Sequence, residues 1–211
     1  LGGGYEMALA FDYIIGIDHP SCQVGFPEIN LGLLPGYGGS GRAFARMGLE
    51  VALKMVLHGK PVRANDALST GALDHLVADR NALANAARIA LGGGIERAIA
   101  VDCADPDALI AAERAGIEAR TRPENTPAPF AILDHYSHNN MNKDKIIERE
   151  TKLFSELMMS PSSIGFRRVF QLNDMVKKGG RGGHQVGHIH IIGAGVMGGD
   201  IAAVAAMSGF H

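Results

Sequence analysis

The chain has 211 residues, 46% of them hydrophobic, and a formal net charge of −2. That is enough apolar material for one or two packed domains and too much for a disordered chain. The charge balance, without a basic stripe interleaved by aromatics, gives no electrostatic reason to expect nucleic acid. Lys177, Lys178 and Arg181 form only a short basic run of the kind a solvated linker carries. No stretch reaches the roughly 20 apolar residues of a membrane span, so no transmembrane segment is expected. Cys22 and Cys103 form no CxxC pair, which suits a reducing compartment. The chain starts at Leu1 without a basic-then-apolar leader, and the true N-terminus is expected upstream.

Gly3 to Phe11 is almost uniformly apolar and predicts a buried helix, and Tyr13 to Ile17 predicts a strand by its β-branched content. Cys22 to Phe26 is a second extended piece, after which Pro27 starts a brief helix through Leu31. Gly36 to Gly41 reads as a flexible turn. Arg42 to Met47 and Glu50 to Leu57 are helical, stopped by Gly48 and Gly59. Ala64 to Thr70 is a short helix ended by Gly71, Leu73 to Val77 a strand, and Asn81 to Leu91 an alanine-rich helix closed by Gly92, Gly93 and Gly94.

Four further helices follow without a convincing strand: Pro106 to Arg120, Phe130 to Met141, Lys145 to Met159 and Ile164 to Lys177. Glu148 and Lys152 have the i, i+4 spacing of a weak surface pair, and His135 and His138 read as polar surface. The run Gly179 to Gly183 marks a domain boundary. Beyond it His188 to Ile192 predicts a strand and Val196 to Met207 a helix.

Two carboxylates carry the chemistry. Glu6 lies among Tyr5, Met7, Ala8, Leu9, Ala10 and Phe11, so burial would raise its pKa and prepare it for proton transfer. A first-turn residue satisfying a free backbone N–H is the other reading. Glu28, after Pro27, has the same two readings. The 22 residues between them can fold back to bring both helix starts to one pocket, where two carboxylates divide proton donation and removal. That arrangement suits adding water across an activated double bond. Amides at Gly3 or Gly4, at a helix N-terminus, can stabilise a developing enolate by a few kcal/mol, and a merely flexible glycine loop is the other reading, favoured when the run is taken alone.

At the other end, Gly193-x-Gly195-x-x-Gly198 follows the expected strand and opens a helix, the context of a dinucleotide fingerprint. Its first glycine makes the turn, its second admits a pyrophosphate and its third lets helix pack on strand. The acid that binds the adenine ribose is expected about 20 residues further on, past His211. His188 and His190 share a strand face near His184, and a strand face explains them better than a metal.

The ordered set Leu1-Gly2-Gly3-Gly4-Tyr5-Glu6, Gly25-Phe26-Pro27-Glu28 and Leu31-Gly32-Leu33-Leu34-Pro35-Gly36-Tyr37-Gly38-Gly39 resembles the second half of the enoyl-CoA hydratase, or crotonase, domain. The resemblance implies that Glu6 and Glu28 are the acid/base pair and that the Gly3 amide is one oxyanion donor, its partner amide lying upstream of Leu1. Retaining both acids favours hydration over isomerisation. Pro127 to Phe130, Ile147 to Glu150 and Leu153 to Leu157 resemble the linker of multifunctional fatty-acid β-oxidation α-subunits, in which a 3-hydroxyacyl-CoA dehydrogenase follows the hydratase.

The expected architecture is therefore α/β. It comprises residues 1–95 as the C-terminal half of a crotonase-like domain, 96–186 as a helical linker, and 187–211 as the first strand, turn and helix of a Rossmann NAD-binding domain. The resemblance implies an acyl-CoA thioester substrate, a partial NAD site at Gly193, Gly195 and Gly198, no metal, a thiolase subunit as partner of the longer protein, and a bacterial-type cytoplasmic location. The chain is expected to be a fragment with little activity of its own. A catalytically degenerate acyl-CoA-binding or scaffold module, with the glutamates as structural caps, is the alternative.

Overall fold

Proline and glycine punctuate the first ninety residues as their backbone preferences dictate. In the computed structural model, which describes residues 1–94, 103–179, 186–193 and 195–211, Pro27 opens a 3-10 helix over Pro27–Leu31. Gly48 and Gly59, at φ 77° and 62°, end helices where a side chain would be strained. The chain divides into two compact units, Leu1–Phe170 and Gln171–His211.

The first unit runs α1 (Gly3–Ala8), β1 (Ile15–Ile17), β2 (Gln23–Val24), the 3-10 helix, α2 (Gly39–Met47), α3 (Leu49–His58), β3 (Val62–Arg63), α4 (Ala64–Ser69), β4 (His75–Val77) and α5 (Leu83–Leu91). Strands β1 and β4 pair in parallel with Ile15 opposite His75, while β2 and β3 pair antiparallel with Gln23 opposite Arg63. Next come α6 (Pro106–Glu118), α7 (Pro127–His138) and α8 (Lys143–Met158), and α9 (Pro161–Gly179) starts in this unit. Capping explains two of these starts: Asp105 accepts from the Ala108 N–H at 2.9 Å and Asn142 from the Lys145 N–H at 3.1 Å.

Helices α6 to α8 lie in the same compact unit as the strands. Ile117, Phe130, Ile132, Tyr136, Ile146 and Leu157 share one hydrophobic core with Phe26, Leu34, Leu49 and Leu53. The stretch expected to be a linker is thus, as far as Phe170, part of the first unit. The expected boundary at residue 95, the part of the Gly179 to Gly183 run after Gly179, and His184 lie outside the described residues; Gly179 ends α9, and the boundary expected at 187 falls inside the second unit.

Three local expectations are corrected. Helix α2 begins at Gly39, inside the segment expected to be a flexible turn, because buried carboxylates satisfy the amides around its start. Glu148 and Lys152 do not pair; Lys152 Nζ lies 4.0 Å from Glu156 instead, and at this exposure either pairing adds little. His135 is buried, its Nε2 lying 3.0 Å from the Ile146 carbonyl between α7 and α8, whereas His138 is exposed as expected.

In the second unit α10 (Val196–Met207) forms as expected, but His188 to Ile192 is not a strand. A strand is defined by its ladder, and among the described residues this segment makes only an Ile189 N–H to His211 carbonyl bond at 2.8 Å, with the His211 N–H returning to Gly187 at 3.1 Å. No described helix is long and apolar enough to cross a membrane.

A buried ion pair ties the elements of the first unit together. Arg46 on α2 pairs with Asp74 just before β4, with side chains 5% and 0% exposed. Arg46 Nε also donates to Gly71 O at 2.8 Å, the Ile14 N–H donates to Asp74 Oδ2 at 2.6 Å, and Tyr5 OH on α1 donates to Ala72 O at 3.0 Å. Replacing Asp74 by Ala strands the Arg46 charge and is expected to cost about 3–5 kcal/mol. Denaturant unfolding would measure this, and a loss below about 1 kcal/mol would contradict the clamp.

Candidate active site

Glu6 is placed by the shortness of α1. Gly2 caps that helix at φ 59°, and the first amides to bond back are those of Tyr5 and Glu6, both onto Gly2 O. The Glu6 side chain then turns inward, only 1% exposed. Three loop amides converge on it: Tyr37 N–H at 2.7 Å and Gly39 N–H at 2.9 Å to Oε2, and Gly36 N–H at 3.3 Å to Oε1. The contact is so close that a Cβ on Gly39 would lie 2.6 Å from the carboxylate. Oε1, with its single long bond, is the oxygen left for other work.

Glu28 reaches the same place from the 3-10 helix. The Gly2 N–H donates to Gly25 O at 2.8 Å, which sets the turn into Phe26, Pro27 and Glu28 against the start of α1. Glu28 Oε1 consequently sits where a Gly2 side chain would go, 2.7 Å from an added Cβ. Glu28 Oε2 is buried without a hydrogen-bond partner. Burial pushes the Glu28 carboxyl above its ordinary range, and the nearby Glu6 charge adds to the rise. The two sequence-predicted acids are therefore brought near one another, one tied by three amides and one with an unpartnered oxygen. Gly3 and Gly4 sit at the head of α1, exposed and with nothing within 4 Å of an added Cβ.

A third carboxylate was missed. Glu150, from α8, is fully buried and accepts the Gly38 N–H at 3.0 Å and the Ser40 hydroxyl at 2.7 Å. It thus holds the other face of the loop that holds Glu6. Burial pushes its carboxyl up to about 7, Glu6 adds to the rise, and the bonds from Ser40 and Gly38 oppose it. Nothing local marked it: Glu150 is one of several charged residues on a polar helix, 112 positions from Gly38. Its spacing from the apolar Ile146 and Leu153, on one helix face, was the one available signal.

The glycine turn of the second unit has its own geometry. Gly193 has φ +121°, a Cβ on Gly198 would collide with the Gly193 carbonyl, and Gly195 caps α10 with open space beside it. Gly193 thus lies in a backbone region that favours glycine, and Gly198 packs directly against the turn. Ala194 lies outside the described residues, and among those described no group of three or more His, Cys, Asp or Glu could hold a metal.

Residues 1–92 match the family model for enoyl-CoA hydratase/isomerase, and the fold is crotonase-like. A carnitinyl-CoA hydratase from Mycobacterium avium superposes with a TM-score of 0.52 at 24% identity, over 82% of this chain and 56% of that one. A carnitinyl-CoA dehydratase from Mycobacterium avium 104 gives 0.53 at 20%, over 82% and 57%. The shared fold therefore extends well beyond residue 92. Along 99% of its length the chain is similar to fatty acid oxidation complex alpha subunits. That of Acinetobacter baylyi is 33% identical, and that of Psychrobacter arcticus 32%, each over 99% of this chain. The chain spans 31% of the length of these curated relatives.

The raised Glu150 carboxyl has a measurable consequence. Its folded pKa of about 7 exceeds the ordinary 4.5, so its contribution to stability is full below about pH 4.5 and is lost as pH rises through 7. Glu150→Gln does not titrate. The stability of that variant relative to the wild type is expected to improve between pH 4.5 and 7 in paired denaturant titrations. A difference that stays constant over that range would contradict the burial of an ionisable group there.

Proposed function

We propose that the first unit carries the hydration chemistry of a fatty-acid β-oxidation enzyme, adding water to 2-enoyl-CoA to give 3-hydroxyacyl-CoA. The supporting observation is the approach of Glu6 and Glu28 to one another near the start of α1, with one carboxylate fixed by three amides and the other raised and carrying an unpartnered oxygen. Glu6 Oε1 takes a proton from water as the oxygen bonds to the β-carbon. Glu28 gives its proton to the α-carbon, so hydroxide and proton together account for one water. The Gly3 N–H faces the thioester oxygen, where negative charge develops. A proton passed from Glu6 back to Glu28 through solvent restores the pair.

The second unit is read as the start of an NAD site, with Gly193 making the turn, Gly195 admitting the pyrophosphate and Gly198 packing the helix. When bound, NAD supplies a hydride acceptor for oxidising the 3-hydroxyacyl product to 3-oxoacyl-CoA. The similarity to oxidation-complex alpha subunits supports both activities for the longer protein, and a thiolase subunit is its proposed partner.

In the full-length protein that carries this sequence, Glu6→Gln and Glu28→Gln are each expected to slow hydration of a 2-enoyl-CoA by about 10²–10⁴-fold. Spectrophotometric loss of the conjugated thioester would measure it. Hydration at the wild-type rate in either variant would remove that glutamate from the chemistry and favour a non-catalytic acyl-CoA-binding module.

A further inference from the structure

The loop that holds Glu6 is itself held from the opposite side. Tyr37 and Gly39 direct their amides to Glu6 on α1, whereas the amide between them, that of Gly38, and the Ser40 hydroxyl go to Glu150 on α8. Successive amides of this segment thus alternate between two buried carboxylates. Helix α8 also packs hard on the loop: a Cβ on Gly36 would lie 2.8 Å from the Phe154 ring, and one on Gly41 2.6 Å from Ile147. Tyr136, from α7, donates to Ser40 O at 3.0 Å.

We propose that Glu150 is a positioning residue for hydration, fixing the Gly36–Ser40 loop so that its amides hold Glu6 in line with the attacking water. This rests on the hydratase reading above, and it makes α8 a working part of the site. Glu150 is fully buried and spends one oxygen on Gly38 and the other on Ser40, so it meets neither solvent nor substrate. Any effect it has on the reaction passes through the loop. Removing its carboxylate leaves the Gly38 N–H and the Ser40 hydroxyl without a buried acceptor. The peptide planes between Tyr37 and Gly39 share their Cα atoms, so a rotation that re-solvates the Gly38 amide swings the Tyr37 and Gly39 amides away from Glu6.

A double-mutant cycle in the full-length protein separates positioning from general support of the fold. Glu150→Ala is expected to lower kcat for hydration by about tenfold to a hundredfold, the cost of a misplaced reacting group, with KM within about twofold. Made in the Glu6→Gln background, the same substitution is expected to lower kcat by less than about twofold, because the group being positioned is already disabled. Ser40→Ala deletes one of the two donors to Glu150 and is expected to act in the same direction with the same non-additivity. It carries the test if Glu150→Ala does not fold. An unchanged kcat in the folded variants, a change confined to KM, or an equal loss in the Glu6→Gln background would overturn the proposal. Wild-type hydration by Glu6→Gln itself would instead overturn the hydratase reading on which it rests.

Discussion

The Gly36–Ser40 loop binds two buried carboxylates at once, and the first unit is arranged around that constraint. Glu6 and Glu150 come from helices on opposite sides of the loop and take four of its amides and one hydroxyl between them. Burying a carboxylate costs several kcal/mol unless its lone pairs are occupied, and two neighbouring ones repel as well. The backbone amides at the start of α2 offset that cost, and the carboxylates in turn serve amides that no turn of α2 precedes. Neither partner is stable in this form without the other. The close approach also limits side chains: at Gly36, Gly39 and Gly41 an added Cβ would meet Phe154, Glu6 or Ile147 within 3 Å.

The asymmetry between Glu6 and Glu28 follows from where each carboxylate ends. Glu6 points into the loop and is held by amides, while Glu28 ends against Gly2 with one oxygen unbonded. One acid held fixed and the other with an unpartnered oxygen gives the two carboxyls different environments, which is what the proposed hydration would use to divide acid and base roles. Gly2 is the hinge of the arrangement. Its amide orients the segment bearing Glu28, its carbonyl starts the helix bearing Glu6, and its missing side chain makes room for the Glu28 carboxylate.

Much of this was legible in the residues, for local reasons. Pro27, Gly48 and Gly59 act through their own backbone restrictions, so their turns and helix ends fall where the sequence places them. Glu6 and Glu28 stand out because a glycine run or a proline precedes each. Glu150 has no such neighbour, and its role exists only once α8 lies on a loop 112 positions earlier. His135 shows the same limit, since spacing on α7 gives no hint that α8 covers it. The segment His188 to Ile192 errs in the opposite direction. Its β-branched residues suit a strand, but the ladder that makes one has to come from elsewhere.

The central claim is that Glu150 and Glu6 hold one loop as a unit, and native-state hydrogen exchange at Tyr37, Gly38 and Gly39 tests it most directly. The account predicts slow exchange at all three amides in the wild type, and faster exchange at all three together when Glu150 is replaced by Ala. If Gly38 alone loses protection while Tyr37 and Gly39 keep theirs, the two carboxylates act separately and the account is contradicted.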